Sequence, residues 1–129
     1  MTAFRFHRDH REKTMNIETQ SVGNILVVTP LNRRLDASVS SQFKEEIQTM
    51  IAQGARHILL DFSQVDFIDS SCLGALVSLL KTLQGKGELA LCSLNSNIHS
   101  MFKLTRMDKI FIIGVDKNTT LQQLSSVKP

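Results

Sequence analysis

Nine consecutive residues, Asp66-Phe67-Ile68-Asp69-Ser70-Ser71-Cys72-Leu73-Gly74, carry most of the chemistry in this chain. A short apolar run, Ile58-Leu59-Leu60-Asp61-Phe62, precedes them and a leucine-rich stretch follows, so they sit where a strand gives way to a helix. A helix start leaves unpaired N–H groups and the positive end of the helix dipole, both of which favour negative charge. Ser70 and Ser71 place hydroxyls at that point. Gly74 falls in the first helical turn, where glycine costs about 1 kcal/mol relative to alanine, so something outside the helix needs to come close. Phe67, Leu73 and Leu76 supply apolar contact area around these groups. Asp-Ser-Ser before an apolar helix is also how an ordinary cap reads, and the tripeptide alone does not separate the two.

Other chemistries find little support. A serine nucleophile needs a base within hydrogen-bond reach. The four histidines are His7, His10, His57 at a strand start and His99 on a helix; none follows a triad arrangement, and Gly-x-Ser-x-Gly is absent. Neither Gly-x-x-x-x-Gly-Lys-Ser/Thr nor Gly-x-Gly-x-x-Gly occurs, and Gly85-Lys86-Gly87 reads as a turn between helix and strand. No catalytic residue and no cofactor is therefore expected. Cys72 and Cys92 form no Cys-x-x-Cys, and no histidine stands at zinc-ligand spacing, so no metal site is expected. Both thiols lie in segments that read as buried, where cysteine is an inert small hydrophobe. A Cys72 thiol exposed at a helix N-terminus would instead be redox-sensitive.

With 129 residues, 42% of them hydrophobic, the chain suits one domain with its own core. Its net charge is +3, of which residues 1–14 carry +2, leaving +1 for the rest. That near-neutral body, without Trp or Tyr, is not a nucleic-acid groove. No apolar stretch approaches the ~20 residues of a membrane span, and residues 1–13 lack the apolar core of a secretory signal. The expectation is a cytoplasmic protein with a basic, flexible extension over residues 1–14 and a folded domain over 15–129, with no direct nucleic-acid contact and no membrane insertion.

Hydrophobic patterning supplies the elements. Residues 16–21 and 25–29 read as a hairpin around Gly23-Asn24, ended by Pro30. Val39, Phe43, Ile47, Met50 and Ile51 share one face of a helix, with Asp36 or Ser38 as the cap and Gly54 closing it. The strand at 58–62 leads to a second helix bearing Leu73, Leu76, Val77, Leu80 and Leu83, closed near Gly85. A strand at 88–93, a helix capped by Asn95, a strand at 110–113 and a short helix at 119–124 complete the chain. Strands alternating with helices after a hairpin imply an α/β fold, a mixed, mostly parallel β-sheet with helices packed against it.

The run from Val65 to Gly74 resembles the signature of STAS-domain anti-sigma factor antagonists, Asp-Ser-Ser/Thr-Gly-Leu-Gly after a buried strand. Leu35-Asp36-Ala37 resembles the end of the family's Gly-Glu-Leu-Asp segment, and Leu94 through Phe111 its stretch between the later strands. The resemblance spans about residues 15–125 and implies the STAS fold. It implies that Ser70, with Ser71 the second choice, is phosphorylated by an anti-sigma factor that is itself a serine kinase. Unmodified antagonist then binds the kinase and releases the sigma factor, and a PP2C-type phosphatase restores the binding form. The contact surface implied is Asp36, Asp69, Ser71, Cys72, Leu73 and Gly74. The sequence departs from the pattern at Cys72, at Arg33-Arg34 and at Arg106, where the family has Gly, Gly-Glu and often Gly. Within the same fold, a non-phosphorylated accessory subunit of a lipid-transport ABC system or signalling assembly stays open as the alternative.

A phosphate's effect follows from charge alone. It adds about −1.5 to −2, and a helix N-terminus returns about 0.3–1 kcal/mol of that locally. Stripping the charge of water inside a docked interface costs several kcal/mol. A net loss of ~4 kcal/mol weakens binding ~1000-fold.

Overall fold

In a computed structural model, residues 14–127 are described, with side chains to residue 124. The expected extension over residues 1–14 lies outside the described residues, Thr14 excepted.

β1 (Ile17–Val22) and β2 (Ile25–Pro30) form the expected antiparallel hairpin, Val22 opposite Ile25. Gly23 has φ +62°, and glycine in first place suits a turn that needs positive φ there, which accounts for the Gly-Asn order. The chain continues through β3 (Arg34–Leu35), α1 (Ser40–Ala52), β4 (His57–Asp61), β5 (Phe67–Ile68) and α2 (Ser70–Leu83). After these come β6 (Glu88–Cys92), α3 (Ser96–Leu104), a 3-10 turn at Met107–Lys109, β7 (Ile112–Gly114) and α4 (Lys117–Val127). The main sheet has the order β1-β2-β4-β6-β7, parallel except at β1.

Alternate residues of β4 feed two cores, as a strand covered on both faces requires. Ile58 and Leu60, with Val28, Leu89 and Leu91, pack in one cluster with Phe43 and Ile47 of α1 and Leu76, Leu79 and Leu83 of α2. Leu59, with Val27, Ala90 and Cys92, packs in the other with Leu121 and Leu124 of α4. Gly114 admits α4 closely, since a Cβ there would collide with the Thr120 side chain.

Two expectations need correction. α1 begins at Ser40 behind Val39, with no side-chain cap. The Asp36 carboxylate accepts the Ser38 N–H at 3.0 Å instead, and the Asp36 carbonyl takes the N–H groups of Val39 and Ser40. β7 starts at Ile112, because Met107–Lys109 coil into a 3-10 turn and Phe111 packs edge-on against Phe102, ring centroids 6.0 Å apart. On α2, Val77 and Leu80 are half-buried and pack against the core as expected, beside a fully buried stripe of Cys72, Leu76, Leu79 and Leu83. Asn95 caps α3 as expected, its side-chain oxygen 2.8 Å from the Ile98 N–H. Gly54, at φ +115°, and Gly85, at φ +81°, stand just past α1 and α2.

Candidate functional site

Strands β3 and β5 pair in parallel as a ribbon beside the main sheet, Arg34 opposite Phe67 and Leu35 opposite Ile68. Leu35 and Ile68 are buried, so the ribbon anchors by its inner face and presents Arg34 and Phe67 outward. Ribbon and α2 meet at Asp69. Its backbone is extended, φ −124° and ψ −173°, and its Oδ1 accepts the N–H of Ser71 at 3.0 Å and of Cys72 at 3.4 Å. The Ser71 hydroxyl donates to the same oxygen, while Oδ2 accepts the Ala37 N–H at 3.2 Å. These donors hold the Asp69 carboxyl below the usual carboxylate range, the Ser71 hydroxyl contributing most.

The two candidate serines therefore differ. Ser71 is half-buried and its hydroxyl is committed to Asp69. Ser70, the first residue of α2, is exposed, and its hydroxyl has no hydrogen-bond partner among the described residues. Gly74 is exposed on the same helix, and a Cβ built on it would meet nothing within 4 Å. Among the described residues no neighbour accounts for a glycine there.

Cys72, Leu73 and Leu76 turn inward. Cys72 is 0% exposed and Leu73 7%, and both belong to the core, as does Leu76. Burial, helped by the nearby Asp69 charge, pushes the Cys72 thiol up to about 12. The expected contact surface thus loses the side chains of Cys72 and Leu73, and the redox-sensitive Cys72 loses its exposure. Among the apolar residues named for contact, only Phe67 remains outside, at 38%.

The rim carries charges that pair across the ribbon. Arg33 holds Asp66, Nε at 2.9 Å and Nη2 at 2.7 Å from Oδ2. The Arg34 guanidinium lies over the Phe67 ring, 4.1 Å from its centroid, with Nε 3.5 Å from Asp36. The Asn95 side chain donates to the Asp66 carbonyl at 3.0 Å, joining the cap of α3 to this edge. Two-residue strands have no readable period, so Arg34 and Phe67 were not legible as a stacked pair. Arg106 has φ +64°, the left-handed backbone that glycine adopts most readily. Elsewhere, His57 sits at the β4 start, its Nδ1 3.2 Å from Glu88, and His99 is exposed on α3. Among the described residues no helix is long and apolar enough to cross a membrane, and no cluster of His, Cys, Asp and Glu could hold a metal ion.

The mixed, mostly parallel five-stranded sheet with four helices packed against it is the STAS fold. The STAS domain family model matches residues 16–123, and the chain belongs to that family. It is similar to the anti-sigma F factor antagonist of Paenibacillus polymyxa, 28% identical over 115 residues, covering 88% of this chain and 97% of that protein. An anti-sigma-factor antagonist (STAS) domain protein from Planctomyces limnophilus superposes with TM-score 0.78 at 21% identity, covering 84% and 97% of the two chains. The antagonist SpoIIAA in its unphosphorylated form superposes with TM-score 0.65 at 21% identity, covering 87% and 98%. The Bacillus determinant SpoIIAA in its phosphorylated form also gives 0.65, at 20% identity and 86% and 99% coverage.

Proposed function

We propose that this protein is a cytoplasmic anti-sigma factor antagonist, a binding protein rather than an enzyme, switched off by phosphorylation of Ser70. Unmodified, it docks on an anti-sigma factor serine kinase through the α2 start and the adjoining ribbon, and the sigma factor is released. The kinase then transfers the γ-phosphoryl of ATP. The bond from phosphorus to the bridging oxygen breaks, the Ser70 Oγ–P bond forms, ADP leaves, and the hydroxyl proton passes to a base on the kinase. A PP2C-type phosphatase reverses the change by hydrolysis.

The observation that carries this reading is the exposed Ser70 hydroxyl, without a partner among the described residues, at the N-terminus of α2. An exposed Gly74 that no neighbour among the described residues requires supports it, as does likeness to relatives that bear the antagonist name. Asp36, Asp69, Ser71 and Gly74 remain the proposed contacts, with Phe67 and Arg34 added. A dianion at Ser70 would have to be stripped of water inside that interface, beside Asp69, and the loss outweighs what the helix N-terminus returns.

The test is incubation with ATP and the anti-sigma kinases of the source organism, followed by mapping of the modified residue. Phosphate on Ser70, abolished by Ser70→Ala, is the expected result. No incorporation from any of these kinases would favour the accessory subunit, and incorporation on Ser71 alone would move the acceptor.

A further inference from the structure

The two arginines at the edge of the β3–β5 ribbon are held unequally. Arg33 commits Nε and Nη2 to one oxygen of Asp66, at 2.9 and 2.7 Å. Arg34 approaches Asp36 with Nε at 3.5 Å, and its guanidinium rests on the exposed Phe67 ring. Leu35 and Ile68 fill the inner face of the ribbon, so Arg34 and Phe67 share the outer one, and Asp36 and Asp69 follow one pleat further along. The Ala37–Asp69 hydrogen bond draws those two strand ends together. Ser70 stands three residues beyond Phe67, at most about 10 Å of extended chain. An arginine head from one side and a phosphoserine from the other close that distance.

We propose that Arg34 is the intramolecular counter-ion of phosphorylated Ser70. The proposal rests on the reading of Ser70 as the phosphoacceptor. A phosphoserine of charge about −1.5 to −2 offers a guanidinium a bidentate partner, which outcompetes one long contact and a ring face open to water. Asp36, Asp66 and Asp69 repel the phosphate, and Arg33 already answers Asp66, so of the two arginines on the ribbon edge Arg34 is the one that moves. Its departure uncovers the outer face of Phe67, so kinase and phosphatase meet different surfaces.

The experiment installs phosphoserine at position 70 during translation, which makes it independent of any kinase; failure of the labelling test and failure of this one are thereby distinct. Phosphorus NMR titrations at low ionic strength then compare the wild-type sequence with Arg34→Gln and Arg33→Gln. All three arginine forms differ only at exposed side chains, and amide spectra verify the fold. Expected is a second phosphoserine ionisation constant about threefold larger with Arg34 present than in Arg34→Gln, and a smaller change for Arg33→Gln. Phe67 ring resonances should shift on phosphorylation in the wild-type sequence and stay in place in Arg34→Gln. Equal constants in wild type and Arg34→Gln, or a larger effect from Arg33→Gln, would overturn the assignment.

Discussion

The Ala37 N–H donates to Oδ2 of Asp69 at 3.2 Å, so the carboxylate that caps α2 also ties down the loop leading into α1. Asp69→Ala removes both functions. Loss of an N-cap costs about 1 kcal/mol, a fall in Tm of about 4 °C by calorimetry. Asp69→Asn keeps an acceptor oxygen and should lose less.

Acid should act through the same carboxyl. Its folded-state value is depressed, chiefly by the Ser71 hydroxyl. The stabilisation it contributes is therefore complete above the ordinary carboxylate range and fades as pH falls through the lowered value. Ser71→Ala removes the largest cause, so the Asp69 titration followed by carbon NMR should move to higher pH.

Glycines separate inner from outer constraint. Gly74→Ala should stabilise α2 by about 0.5–1 kcal/mol, since a Cβ meets nothing there and alanine is the better helix former. Gly74→Leu should slow phosphorylation by about tenfold, roughly 1.4 kcal/mol of barrier, while leaving the fold intact. Gly114→Ala should do the opposite, lowering Tm because its Cβ collides with buried Thr120.

Both thiols should resist reagents. Cys72 and Cys92 are 0% exposed, and burial pushes them up to about 12 and about 11. An aromatic disulfide reagent at pH 8 should label neither in the native protein and both after unfolding. Rapid native labelling of Cys72 would restore a redox role.

Long periodic segments were legible in the sequence because burial imposes their spacing: Phe43, Ile47 and Ile51 on α1, and Leu76 and Leu83 on α2, lie in the core as their pattern implies. Contacts made by single residues were not. The side-chain cap foreseen at α1 became a turn of Asp36 on Ser38, and nothing in the local sequence announces that Arg34 meets Phe67 across two short strands. At the site, Ser70, Asp69 and Gly74 stand out from residue type and place, whereas Cys72 and Leu73 share their motif and face the other way. A motif is linear, but a helix turns 100° per residue, so adjacent members cannot all face one partner.

Ser70→Ala removes a hydroxyl without a partner among the described residues, so stability should stay within about 0.5 kcal/mol. The decisive measurement is calorimetric titration of the anti-sigma factor kinase with unmodified protein and with protein carrying phosphate on Ser70. An affinity ~1000-fold lower for the phosphorylated form, about 4 kcal/mol, is expected. Equal affinities for the two forms would contradict the switch.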